Sequence, residues 1–175
     1  MNEYIKTALS LGFSKAVFLD DLAIECKPEL RAYCNPEHCP NHGQNWVCPP
    51  GCGTLEECME KAGLFHKGIV LQSVTELTPP AGRETYVKLN REHNFRFKEF
   101  IECVKPGVAK LLPLTSGGCV FCDKCSYPKP CVKPDVKMES LSAFGIDVGN
   151  LCGLAGLAFA FRPDIVYFTA LLLVE

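Results

Sequence analysis

The chain has 175 residues, enough to bury a hydrophobic core in one domain without covalent staples. Its net charge of −2 gives no sign of a nucleic-acid or anionic-membrane partner. Twelve cysteines are the outlying number, and they need a chemistry.

The N-terminal stretch MNEYIKTALSLGFSKAVFLDD lacks a basic region followed by a continuous apolar one, so export is not expected. No apolar run reaches the roughly 18 residues of a transmembrane helix, so the protein is expected to be cytoplasmic, without a membrane partner. In a reducing compartment, clustered thiols point to metal before disulfides.

Residues 2–11 read as a short helix and 15–20 as a strand. From about 26 to 53 no period is sustained. Pro28, Pro36, Pro40, Pro49 and Pro50 make this a loop, and it holds five of the twelve cysteines. Thr54 with Glu57 three residues on is a capping box, opening a helix over 55–64 that ends near Gly63. GIVLQSV (68–74) is a buried strand. Pro79-Pro80 and Gly82 then break the chain. A long helix over 83–104 follows, with Tyr86, Leu89, His93, Phe97, Phe100, Ile101 and Val104 on one apolar face. Pro106-Gly107 ends it. VAKLLPL (108–114) is extended, and 117–134 is a second cysteine loop. MESLSAFG (138–145) reads as a short helix, a further helix runs from Asp147 to about 157, and IVYFTALLLVE (165–175) is a strand. Strands alternating with helices predict an α/β or α+β fold. It would be a single metal-binding domain over 1–175, with one central sheet, flanking helices and two cysteine-rich loops.

The second loop carries Cys119-x2-Cys122-x2-Cys125-x5-Cys131. Overlapping C-x2-C steps can wrap three corners of one iron–sulfur cubane, with a fourth cysteine close behind. Gly117 and Gly118 permit close approach of backbone N–H groups to cluster sulfurs. Pro128, Pro130 and Pro134 stiffen the loop. Structural zinc more often takes two separated pairs, and a mononuclear zinc on the same four thiols is the alternative. The five-residue gap before Cys131, with no proline directly after it, departs from the ferredoxin run, so exchange of the fourth ligand between clusters is not expected.

The first loop gives Cys34-x4-Cys39-x8-Cys48-x3-Cys52. Four thiols on a proline-stiffened loop suffice for a second site, with Cys26 or Cys58 as substitutes for Cys52. Without Cys52, three thiolates would leave an open corner for a substrate. His38 and His42 read as exposed loop histidines, and Trp46 as packing for the loop or a shield for a cluster.

On these two loops the chain resembles a prokaryotic cysteine-rich family of predicted metal-binding proteins, catalogued as a domain of unknown function. The matching residues are YC...CP..G.NW.CPP..GTLEEC (33–58), GGC.FC.KC....PC..P....SL.AFGIDV (117–148) and VYFTALLLV (166–174), with His93-Asn94 on the long helix. The resemblance implies metal binding through Cys34, Cys39 and Cys48, and through Cys119, Cys122, Cys125 and Cys131. It supplies no reaction. Cys26, Cys52, Cys103 and Cys152 lie outside the family pattern, and Val132 stands where the family usually has arginine.

No P-loop, G-x-G-x-x-G after a strand, H-E-x-x-H or G-x-S-x-G is present. GLAGLAFAF offers glycines only in a helix-like apolar stretch. The leading expectation is therefore an iron–sulfur protein with two 4Fe-4S clusters, passing electrons to a redox partner protein that docks at an exposed cluster edge. The alternatives are a zinc-stabilised binding or regulatory module and a cluster-dependent enzyme using the open corner, with His93 as acid–base group or ligand.

Overall fold

Strands β1 (Lys15–Leu19), β2 (Lys67–Glu76), β3 (Leu111–Thr115), β4 (Glu139–Ser140) and β5 (Ile165–Val174) form one sheet in a computed structural model that describes residues 2–175. Their order is β1-β2-β5-β3-β4. Every neighbouring pair is antiparallel except β3 and β4, which are parallel. The fold is mixed α/β with one central sheet, as the alternation of strand and helix patterns predicts.

β5 lies at the centre, paired with β2 from Lys67↔Val174 to Glu76↔Ile165 and with β3 on its other side. Both faces of this strand are covered. Ala170, Leu172 and Val174 pack with Ile69 and Leu71 on one side, and Leu171 and Leu173 pack with Val70 and Leu114 on the other. Successive side chains point to opposite faces, so a strand buried on both faces must be apolar at every position. This accounts for the unbroken LLLV.

Helices α1 (Asn2–Ser10) and α4 (Arg83–Val104) cover the first face with Ala8, Phe97, Phe100 and Val104. Helices α3 (Leu55–Ala62) and α5 (Val148–Leu154) cover the second with Cys58, Ala62 and Leu151. Burying each phenylalanine of α4 contributes about 2–3 kcal/mol, more than helix propensity supplies. The capping box of α3 is present: Glu57 N donates to Thr54 Oγ1 at 3.2 Å, and Thr54 N donates to Glu57 Oε2 at 2.9 Å. Among the described residues, no helix is long and apolar enough to cross a membrane.

Three elements differ from expectation. A short helix α2 (Pro28–Ala32) stands inside the first cysteine loop. Pro28 sits at its first turn, where a missing N–H loses nothing. The segment 138–145 is not a helix. Glu139 and Ser140 pair with β3, Leu141 N donates to Thr115 O at 3.0 Å, and the chain then turns. Sheet pairing takes the backbone groups that a helix would need. Gly145, at φ +66°, closes this turn against the Lys27 backbone, where no side chain fits. Helix α5 stops at Leu154 instead of about 157. Leu157 N bonds Cys152 O at 2.8 Å and Gly156 N bonds Gly153 O at 3.0 Å. With Gly156 at φ +64°, this is a Schellman ending, and GLAFAF continues as irregular chain.

Candidate metal centre

The first cysteine loop hangs from α2. Asn35 Oδ1 accepts from Glu37 N at 2.9 Å and His38 N at 3.1 Å, turning the chain directly after Cys34. Further on, Gly43 N donates to Pro49 O at 2.7 Å and Cys52 N to Cys48 O at 3.2 Å. Arg31 clamps the far end. Its guanidinium donates to Ala143 O, to Gly53 O at 2.6 Å, and to Cys52 Sγ at 3.3 Å. The turn that replaces the expected helix at 138–145 thus anchors the loop.

Four thiols of this loop feel one another. Burial pushes Cys34 up from its ordinary value. Cys39 adds to this, Arg31 opposes it, and Cys52 adds again. Cys48 is pushed up to about 12, by burial first, against a hydrogen bond from Asn45, with Cys39, Cys34 and Cys52 contributing. Cys52 goes the other way, pulled down to about 6. Its largest cause is a hydrogen bond from Cys58; burial opposes this, and the Arg31 charge and hydrogen bond assist it. Cys58 rises reciprocally and is fully buried on the inner face of α3. The Cys58 hydrogen bond, with Arg31 assisting, therefore makes Cys52 the readiest thiolate of the set. Cys26 lies apart, in a backbone bridge with Ile146, and is raised by burial alone.

The second loop is held by α4. Arg91 pairs with Asp123 at 3.7 Å, and Phe95 meets Phe121 edge-on at 5.3 Å. Lys133 Nζ donates to Phe121 O and Ser126 Oγ to Pro130 O, both at 2.8 Å. Cys119 is pushed up by burial, against a hydrogen bond from Phe121 N, and further up by Cys122, Cys125 and Cys131. The N–H directed at this sulfur is the kind of donor that tunes a cluster. All four thiols are half-buried, while Lys124 and Lys129 beside them are exposed.

The two loops pack on each other. Trp46 Nε1 donates to Lys129 O at 3.0 Å, and its ring meets Tyr127 at 5.0 Å, nearly perpendicular. A Cβ at Gly118 would press on Asn41 and Asn45 at 3.2 Å. Packing is thus the role that the structure gives Trp46. All twelve cysteines are free. Among the described residues, no three ligating side chains close on one point for a single ion. The donor sets still fit a metal in their chemistry, as two groups of four soft thiols within electrostatic reach of one another. Ligand closure on binding is the ordinary behaviour of metal loops.

A cleft of about 880 Å³ opens beside the first loop, with Cys34 and Cys39 in its lining, together with Tyr33, Tyr86, Phe161 and Tyr167. Cys48 and Cys52 are buried and do not line it. His93 is in neither loop. It is fully buried on α4, with Nδ1 2.8 Å from Ser73 Oγ and its ring against Phe13 and Phe168. Burial, then the Arg96 charge, pulls its pKa down to about 3, so it is a neutral core imidazole. His38 is exposed, with Nδ1 3.0 Å from Asn35 Oδ1. Cys103 is exposed on α4. Cys152 is buried, with Sγ 3.6 Å from both Gln72 Nε2 and Thr169 Oγ1. Arg31 went unsingled in the sequence. A cation three residues before Cys34 was the available signal.

No curated protein and no solved structure matches the chain. A family model does, over residues 17–174, which takes in every cysteine. The chain belongs to the family described as Predicted metal-binding protein (DUF2284).

Proposed function

We propose that the metal is iron, held as two 4Fe-4S clusters, and that the protein passes electrons in the reducing cytoplasm. The first cluster would take Cys34, Cys39, Cys48 and Cys52. The second would take Cys119, Cys122, Cys125 and Cys131. The observation that supports this reading is that eight free thiols lie on two loops, four to each, with charge coupling between thiols of the same loop at Cys34, Cys48 and Cys119. The overlapping C-x2-C-x2-C spacing favours iron over zinc, since it suits three corners of one cubane better than a pair of separated zinc knuckles. Such clusters supply one-electron transfer. The residues of this chain keep water from Cys48 and Cys52, aim the Phe121 N–H at Cys119, and hold the loops together through Trp46.

The redox partner would dock at the second loop, where Lys124 and Lys129 are exposed beside half-buried thiols. Transient redox complexes bury little surface, under about 1,200 Å², which suits so small a face. Purification without air tests the reading. A brown protein with about eight irons per chain and an absorbance near 400 nm that dithionite bleaches supports it. A colourless protein with two zinc ions overturns it in favour of a zinc-stabilised binding module.

A further inference from the structure

We infer that the cleft beside Cys34 and Cys39 is a binding site for a neutral, planar molecule of about two or three fused aromatic rings. This goes beyond electron transfer and does not depend on which metal the thiols hold.

Its volume, about 880 Å³, lies within the range of roughly 300–1,000 Å³ seen for small-molecule sites. Its walls are aromatic. Tyr33 comes from the end of α2 and Tyr86 from α4, while Phe159 and Phe161 lie on the segment before β5 and Tyr167 lies within β5. Phe159 stands 5.4 Å from Phe161 and 6.2 Å from Tyr167, ring centre to ring centre. Phe161 is 96% exposed. A phenyl ring left so fully in water buries almost nothing for the fold beyond its edge contact with Phe159, and it lines an aromatic cleft. Flat rings offered at the rim and wall recognise a flat ring by stacking and edge contact.

The charges decide the rest. Apart from the thiols of Cys34 and Cys39, the charged side chains lining the cleft are Asp147 and Arg162, and both are already paired. Asp147 caps α5 through Asn150 N at 3.0 Å and lies 3.6 Å from Lys27 Nζ. Arg162 forms two hydrogen bonds to Asp164, at 3.0 and 2.7 Å. A charged ligand would find no counter-ion there and would lose hydration on entry. A neutral ring is not penalised. Ser116 and Ser142 supply hydroxyls for its polar edge, and Cys34 and Cys39 place that edge next to the metal ligands.

Riboflavin and its 5′-phosphate, FMN, share one planar ring system and differ by a charged phosphate, so together they test both parts. Each is titrated in the dark, by flavin fluorescence, against the full-length, metal-loaded protein purified without air. The expected result is saturable one-to-one quenching by riboflavin, with FMN at least about tenfold weaker. Phe161→Ala and Tyr33→Ala should each weaken riboflavin by roughly three- to tenfold. Phe161 is almost wholly exposed, so Phe161→Ala should leave melting temperature and metal content unmoved. No saturable binding, FMN binding as tightly as riboflavin, or an affinity untouched by both substitutions would overturn the proposal. Metal content measured on the same samples keeps a failure of the cleft distinct from a failure of the iron–sulfur reading.

Discussion

The two cysteine loops carry the same number of thiols and place them in different surroundings. In the first, Cys48 and Cys52 are buried, Arg31 donates to a sulfur, and an aromatic cleft reaches Cys34 and Cys39. In the second, all four thiols are half-buried, a backbone N–H serves Cys119, and lysines stand outside. Burial and hydrogen bonds to sulfur are the levers that set a metal centre's behaviour. On the proposed iron–sulfur reading, equal ligand sets would therefore become unequal centres, the inner one placed beside a cleft and the outer one beside exposed lysines.

The largest effect separates the scaffold from both loops. His93 binds its proton near pH 3 when folded, against 6.5 ordinarily. Between those values the unfolded chain takes up a proton that the folded one refuses. Stability is thus full above pH 6.5 and falls as pH drops toward 3. Thermal melts from pH 7 to 4 should show this loss, and His93→Phe should remove most of it. Acid lability that survives the substitution belongs to the loops. Next, Arg31→Ala strips three hydrogen bonds from the first loop alone. It should cost about 2–3 kcal/mol and speed loss of the first metal, with the second retained, as metal analysis against time would show. Equal loss from both loops would break the contrast. Trp46→Phe removes the tie to Lys129 and should cost about 1 kcal/mol in a denaturant titration, loosening one loop against the other. Cys103→Ser should change neither metal content nor stability, since this thiol is exposed on α4.

Much of the scaffold was legible because its signals are local. Apolar period, the Thr54 and Glu57 box and the all-apolar β5 each act within a few residues. The segment at 138–145 was misread because its fate depends on β3, more than twenty residues away. The Lys27 contact that requires Gly145 is no more visible locally. The thiols are legible by type and spacing, and the structure keeps them free on the two loops. Arg31 was not, because its partners Gly53, Cys52 and Ala143 meet only in the fold. The cleft was hidden for the same reason: Phe161 and Tyr33 are far apart in sequence, and GLAFAF looks helical until Gly156 ends α5.

Native mass spectrometry of protein kept from air tests the central claim most directly, with the wild type run beside Cys39→Ala and Cys125→Ala. The account predicts a wild-type mass carrying two 4Fe-4S clusters and, in each variant, the loss of one cluster with the other intact. A wild type carrying zinc, or either substitution emptying both loops at once, would contradict it.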